Sequence, residues 1–304
     1  MSSFHLISDF DGVWTETSAE LQAVHETVMG RLQLLSGRSR EEVQEDYARF
    51  VQDVLSEPHL HGWKLNGRLS SFVDEDVFAM PTSVGQYIDT GGCERTRFYR
   101  GRILQKYETV LIFLDDCYHT TCDAFRSTVS HDLVTGSERV LEWLLQHDVQ
   151  VTFVTNAPAG KVMDWFAHHD FQVADGREVP RGAAPLRVFG RAGKQFLGSS
   201  DRSLSFGGRE VAVDRPQYRA ILEQESPDMV IGDVLSLDLA TPVSLRVEGH
   251  PAAPKEVGVM HMRHTPQWVL DSIKPTPAGI DHLISHVTSL PRLVLALQHR
   301  MQSE

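Results

Sequence analysis

Basic residues are in short supply: 29 Lys and Arg stand against 41 Asp and Glu, a formal net charge of −12. A surface of that sign repels a polyanion, so no nucleic-acid partner is expected. Long hydrophobic runs are missing too. The longest strongly apolar stretch, Val110 to Leu114, falls far short of the roughly 20 residues of a membrane-spanning helix, so no membrane partner is expected. No basic segment followed by a long apolar one opens the chain, which argues against a secretory leader. Cysteine is down to Cys93, Cys117 and Cys122, an odd number with no CxxC pair, and the simplest reading is reduced thiols in a cytoplasmic protein. No internal repeat or low-complexity tract is evident. The 15 histidines contain no HExxH. His282 and His286, expected on a C-terminal helix, and His261 with His264 lack a third ligand and read as surface or packing residues.

What the chain does have is length for two domains, 304 residues, and 41% apolar content, ordinary for a globular protein. A short apolar run, Phe4 to Ile7, reads as a buried strand. Helical spacing follows at 18–35, with Ser18 as N-cap and Gly37 as stop. A second helix spans 39–55, with Ser39 and Glu42 at capping-box spacing and Pro58 beyond. Helical patterns continue at about 69–89 and 97–128, on either side of Gly91-Gly92. Residues 16–130 therefore read as an all-helical insertion. From about Leu133 strand and helix alternate: a helix at 137–146, a strand at 149–154 (VQVTFV), a helix at 161–169 and a strand at 171–174. A helix at 217–224 after Pro216 and strands at 228–231 and 258–262 follow, then a terminal helix or helix pair over about 277–302. Residues 176–214, with β-like LRVF and EVAV, suggest a small flap or β-hairpin. Alternation of this kind predicts an α/β fold: a doubly wound parallel-sheet (Rossmann-like) core, residues 1–15 and 131–304, with helices on both faces.

Three expected strands end in polar residues. The first runs into Asp9-Phe10-Asp11-Gly12, where two carboxylates two positions apart on an extended segment point the same way. Like charges that close need a cation or a proton between them. The middle strand ends at Thr155-Asn156. The last runs into Gly232-Asp233, with Asp238 five residues on. If these strands are neighbours, their carboxyl ends meet at one crevice, where open α/β sheets bind ligands. Carboxylate oxygens with room for water suit Mg²⁺ rather than zinc. One carboxylate can then attack phosphorus, and the second can protonate the leaving oxygen and later deprotonate water. A hydroxyl and a fixed cation would hold the non-bridging oxygens. Asp9-x-Asp11-Gly12 is no EF-hand loop, because the glycine is misplaced and no ligand series follows. Trp14 reads either as lining this crevice or as packing.

These segments, 4–15, 149–156 and 214–239, resemble the haloacid dehalogenase superfamily, whose members are mostly phosphatases. DFDGVWT is similar to its DxDGxxT motif and GDVLSLDLA to its GDxxxxD motif. The resemblance implies a nucleophilic Asp9, a general acid and base at Asp11, and Mg²⁺ held by Asp9, Asp233 and the Asp11 backbone carbonyl. It implies phosphoryl binding at Thr155, beside Asn156 and Gly12, and a role for Asp238 in orienting a cation or supporting the metal site. The family usually opens the helix before its last strand with Lys. Here Asp214-Arg215-Pro216 stands instead, so Arg215 is the matching residue by position, and Lys194, in RAGKQF on a loop able to reach the site, is the alternative. The insertion falls where the family places a cap that closes over the crevice. Arg95, Arg97, Arg100 and Arg102 lie in that insertion and read first as a solvated helix face, with contact to an anionic substrate as the alternative. Asp11 argues for phosphate esters, because on the resemblance halide-displacing members lack this second Asp. The expected activity is Mg²⁺-dependent hydrolysis of a small-molecule phosphate monoester. The rivals are a phosphotransferase or mutase of the same fold and a non-catalytic binding protein that kept the fold.

Overall fold

Phe4–Ser8 forms strand β1, and all five of its residues are buried. A strand covered on both faces belongs inside a parallel sheet sandwiched by helices. The structure is a computed structural model and describes residues 3–128 and 131–303. The chain divides into two units, Met1–Glu16 with His131–Glu304, and Thr17–Ser130.

The second unit is mostly helical. Helices α1 (Ser18–Ser36) and α2 (Arg40–Ser56) are separated by Gly37 in the left-handed region and by a full Ser39–Glu42 capping box. Thr17 rather than Ser18 holds the N-cap position of α1. A small antiparallel hairpin, β2 (Lys64–Leu65) and β3 (Arg68–Leu69), comes next. Helices α3 (Ala79–Thr90), α4 (Glu94–Ile103) and α5 (Val110–Thr128) complete the unit. The helix expected from residue 69 starts ten residues later. Before Ala79, Glu75 accepts from the Phe72 N–H and Asp76 from the Phe78 N–H, local bonds that compete with a helix. The expected 97–128 helix is two, because the Thr109 hydroxyl caps the Ile112 N–H and starts α5 anew. Val28, Met29, Phe50, Tyr99, Ile103 and Phe113 form the core of this unit, joined by Cys117 and Cys122 as buried free thiols. The four arginines of α4 are engaged locally. Arg95 pairs with Asp46, Arg97 and Arg100 donate to the Gly92 and Asp89 carbonyls, and Arg102 lies over the Phe98 ring.

The other unit continues with α6 (Ser137–Gln146), β4 (Val149–Val154), α7 (Ala159–Ala167), β5 (Ala174–Asp175) and β6 (Leu186–Phe189). A hairpin, β7 (Ser203–Phe206) and β8 (Arg209–Ala212), precedes α8 (Pro216–Glu225) and β9 (Met229–Gly232). The chain then runs through α9 (Ala240–Val247), β10 (Glu256–Met260), α10 (Gln267–Leu270), β11 (His282–Ile284) and α11 (Leu290–Ser303). Seven strands form one sheet in the order β11-β10-β9-β1-β4-β6-β5, and every pairing is parallel. This is a doubly wound α/β core, with β1 at the centre where strand order reverses.

Three expectations about this unit need correction. LRVF and EVAV do not pair with each other: LRVF is β6, fully buried in the sheet, while EVAV contributes to β8 and pairs with β7. The strand expected at 171–174 is confined to Ala174–Asp175. The helix expected from 277 is replaced by β11, which adds an edge strand to β10, so His282 lies on a strand. Among the described residues no helix is long and apolar enough to cross a membrane.

Beneath the sheet lies a fully buried polar group of His5, Thr152, Arg187 and Glu225. Arg187 pairs with Glu225 and donates to Thr152 Oγ1 at 3.2 Å. His5 Nε2 is 2.9 Å from Thr152 Oγ1, and its Nδ1 is 3.0 Å from the Glu225 carbonyl. Burial first, and then the Arg181 charge, push the His5 pKa down to about 3. The imidazole is therefore neutral, donating from Nδ1 to the carbonyl and accepting from Thr152 at Nε2.

Candidate functional site

The ladder between β1 and β9 ends where the Asp9 N–H donates to the Ile231 carbonyl at 3.0 Å. One residue later Phe10 turns to the opposite side and is fully buried, edge-on to Phe153, Trp165 and Phe166. That anchoring fixes the turn between Asp9 and Asp11 at the carboxyl end of the central strand. Trp14 is fully buried and its Nε1–H donates to Ser8 Oγ at 2.8 Å, so it packs under the turn. Gly12 has φ of +78°, and a Cβ there would sit 2.2 Å from Asp233 Oδ2. Only glycine lets the Asp9–Asp11 turn and Asp233 approach this closely.

Asp9, Asp233 and Asp238 form the one group of potential metal ligands among the described residues: each offers an oxygen, and these lie within 4.8 Å of one another. Asp238 is delivered by a π turn, Leu235–Leu239, directly after β9. Its Oδ2 accepts from the Val234 N–H at 3.0 Å, and its backbone carbonyl accepts from the Tyr218 hydroxyl at 2.8 Å. Extra turns of this kind recur where a helix must aim a side chain.

Lys194 supplies the cation. Its Nζ is 2.6 Å from Asp9 Oδ1 and 2.6 Å from Asp238 Oδ1, and the side chain is 3% exposed. It comes from the loop after β6. Asn156 Oδ1 accepts from the Lys194 N–H at 2.9 Å. Arg215, expected by position to be the cation here, lies under the loop instead. Fully buried at the N-terminus of α8, it donates to the Lys194 carbonyl and, at 3.3 Å, to the Ala212 carbonyl. Arg215 thus holds the loop that delivers Lys194. Gly193, at φ +68°, permits the bend; a Cβ there would meet Gln217 Oε1 at 2.0 Å.

The electrostatics follow from burial. Burial raises the Asp9 pKa to about 7; Lys194 pulls it back, and Asp238 and Asp11 push it up again. Burial would lower Lys194, but Asp238 and Asp9 more than offset that and hold it above the ordinary lysine range. Three close carboxylates with one ammonium between two of them remain rich in negative charge. Hard oxygen donors in this pattern match Mg²⁺, and Gly12 lets the Asp233 carboxylate come up against the turn that carries Asp9.

Thr155 sits at the carboxyl end of β4, and its Oγ1 accepts from the Ala157 N–H at 3.0 Å. Its N–H and carbonyl are fixed by Phe189 and Ala192. The Asp11 carboxylate is absent from the three-carboxylate group. Its Oδ1 accepts instead from Lys161 Nζ at 2.8 Å, with Thr15 Oγ1 at 3.5 Å. Sequence reasoning passed over Lys161. The signal available was a lysine in the first turn of a helix directly after Thr155-Asn156, a position that the helix dipole disfavours for a cation.

No family model matches the chain, and no curated protein matches it. Solved structures with similar folds include a HAD phosphatase from Thermococcus onnurineus, at 13% identity and TM-score 0.45 over 96% of this chain and 97% of that one. CbbY from Rhodobacter sphaeroides, solved in complex with phosphate, aligns over 95% and 96% at 12% identity and TM-score 0.41. A 2-haloacid dehalogenase from Pseudomonas syringae aligns over 97% and 99% at 13% identity and TM-score 0.39.

Proposed function

We propose that the chain is a phosphatase of the haloacid dehalogenase type, hydrolysing small-molecule phosphate monoesters with Mg²⁺ through an aspartyl-phosphate. The observation that carries this is the Lys194 ammonium between Asp9 and Asp238, 2.6 Å from each, at the carboxyl end of the central strand. It supports Asp9 as the nucleophile. In the first half-reaction an Asp9 oxygen bonds to phosphorus as the ester P–O bond breaks, and the leaving oxygen takes the Asp11 proton. In the second, Asp11 takes a proton from water as that water attacks the aspartyl-phosphate, releasing phosphate and restoring Asp9. Lys194 and Thr155 hold the non-bridging oxygens as charge develops on them. Asp9 and Asp233, with the Asp11 backbone carbonyl, would hold Mg²⁺, while Asp238 orients Lys194. The metal's contribution is to neutralise the carboxylates and the incoming phosphate. Asn156 and Arg215 act on the Lys194 loop. All three cysteines are free thiols, which suits a reducing cytoplasm.

A non-catalytic reading would lean on the lysine absent from the helix before the last strand, and the Lys194 ammonium beside Asp9 and Asp238 speaks against it. The test is hydrolysis of p-nitrophenyl phosphate by the whole chain with Mg²⁺, with EDTA, and by Asp9→Asn. Activity should need both, with Asp9→Asn slower by ~10³-fold or more. Activity that survives Asp9→Asn, or that ignores EDTA, overturns the proposal.

A further inference from the structure

Lys161 is a buried cation that the phosphatase reading leaves without a task. Its side chain is 8% exposed, and its Nζ lies 2.8 Å from Asp11 Oδ1. Burying an ammonium costs free energy, and so does a cation in the first turn of a helix, where α7 begins at Ala159. Both penalties are accepted at one residue, and its ammonium lies against the Asp11 carboxylate. The course of the side chain is itself built. Nζ lies 5.6 Å from the centre of the Trp165 ring, one turn along the helix. Trp165 is edge-on to Phe10 at 6.4 Å, and its Nε1–H donates to the Asp132 carbonyl at 3.4 Å. Phe10 stands between Asp9 and Asp11 in the chain. The aromatic group that sets the first turn therefore also sets the lysine that grips Asp11.

Resting on the phosphatase reading, we infer that Lys161 is a positioning residue: it holds Asp11 Oδ1 so that Oδ2 is aimed at the leaving oxygen of the substrate. The step it serves is proton transfer from Asp11 to the ester oxygen as the P–O bond breaks and its electron pair moves to that oxygen. Beyond Lys161, Asp11 Oδ1 has the Thr15 hydroxyl at 3.5 Å, too long to fix a carboxylate. The role matters most for substrates whose leaving group must be protonated. It therefore ties the site to alkyl phosphates, such as those of sugars and polyols, rather than to activated aryl or acyl phosphates.

The test compares an alkyl phosphate, glycerol phosphate, with p-nitrophenyl phosphate, whose leaving group needs little protonation. The variants are Lys161→Met, Lys161→Arg, Asp11→Asn and the Lys161→Met/Asp11→Asn double variant, with folding checked by circular dichroism. In Lys161→Met the ratio of alkyl to aryl kcat should fall by about 10–100-fold, with KM for the alkyl substrate little changed. Lys161→Arg should restore part of the ratio. In the double variant the lysine change should add less than about twofold to the Asp11→Asn defect, because it acts through that residue. An unchanged ratio, a defect confined to KM, or additive defects would overturn the inference. If Lys161→Met does not fold, the ratio in Lys161→Arg decides: the inference stands if it lies between parent and Asp11→Asn and falls if it matches Asp11→Asn. A parent inactive on both substrates overturns the phosphatase reading and the inference with it. A parent that hydrolyses both separates the two questions.

Discussion

Replacing Lys194 with Met probes the centre of the site, and its consequences can be worked from the distances. The ammonium is 2.6 Å from Asp9 Oδ1 and 2.6 Å from Asp238 Oδ1, and neither the lysine nor Asp238 is more than 3% exposed. Removing it leaves carboxylates that face one another out of water. Breaking a buried pair by deleting one partner costs about 3–5 kcal/mol. Part of that is recovered by proton uptake, because burial already raises the Asp9 pKa to about 7 and losing Lys194 removes what pulls it down. The folded variant then binds a proton that the unfolded chain has released. Its stability in EDTA should therefore fall further behind the parent as pH rises from 6 to 8.

Chemistry should suffer separately. One preorganised donor to the developing charge is worth about 10²–10³-fold in kcat. Urea unfolding with Mg²⁺ and with EDTA, together with p-nitrophenyl phosphate hydrolysis, reads both effects. Mg²⁺ should recover stability in the variant, since it neutralises the same carboxylates, but it should not recover kcat, which needs a donor to the transferring group. Arg215→Met, in parallel, should lose stability because the Lys194 loop loses its support. A Lys194→Met enzyme within about fivefold of parental kcat would refute the assignment, since that is far less than the loss of one such donor.

Gly12→Ala should drive Asp233 aside, because the new Cβ lands 2.2 Å from its Oδ2 at a φ of +78°; calorimetric titration should show Mg²⁺ affinity down by about tenfold or more. His5 makes the core acid-sensitive. Its pKa falls from 6.5 to about 3 on folding, so its contribution is complete above pH 6.5 and is lost as pH drops through that value toward 3. About 2 kcal/mol should go between pH 6.5 and 5, a slope that urea unfolding should show in the parent and not in His5→Gln. Ser39→Ala removes the capping box of α2 and should cost about 1 kcal/mol without changing hydrolysis, measured by unfolding and by the aryl phosphate assay.

The parallel sheet was legible in the sequence because its strands are short apolar runs separated by helical periods, and β1, β4 and β9 each read clearly. The acidic turn after β1 was legible because Asp-x-Asp-Gly combines close like charges with a residue for a sharp bend. The cation was not. Position along the chain locates a backbone, and Arg215 does start α8 as expected, but a long side chain can end several ångströms away on a carbonyl of another loop. Lys194 was hard to place because β6 was read as part of a hairpin, so the loop after it had no known relation to β1. Lys161 was missed for a related reason: its meaning lies in Asp11, 150 residues away. The edge strand β11 was hidden in a helix-like stretch because three residues give too short a period to distinguish.

On the phosphatase reading, the charge balance around the first turn calls for a metal ion beside the two lysines. Asp9, Asp11, Asp233 and Asp238 bring four carboxylates, and Lys161 and Lys194 return two positive charges. A phosphate monoester is itself close to dianionic at neutral pH, so it meets a site of its own sign. Two lysines are enough to let the folded chain tolerate the cluster, but not enough to attract the substrate. One divalent cation closes the gap. Binding should therefore be ordered, metal before phosphate. Titration calorimetry with inorganic phosphate should detect binding in saturating Mg²⁺ and at least about tenfold weaker binding in EDTA, since about 1.4 kcal/mol of lost attraction suffices for that factor. In Asp233→Asn the requirement should persist with weaker metal affinity. Phosphate that binds equally well in EDTA would mean that the lysines alone create an anion site, and the metal-first order would be refuted.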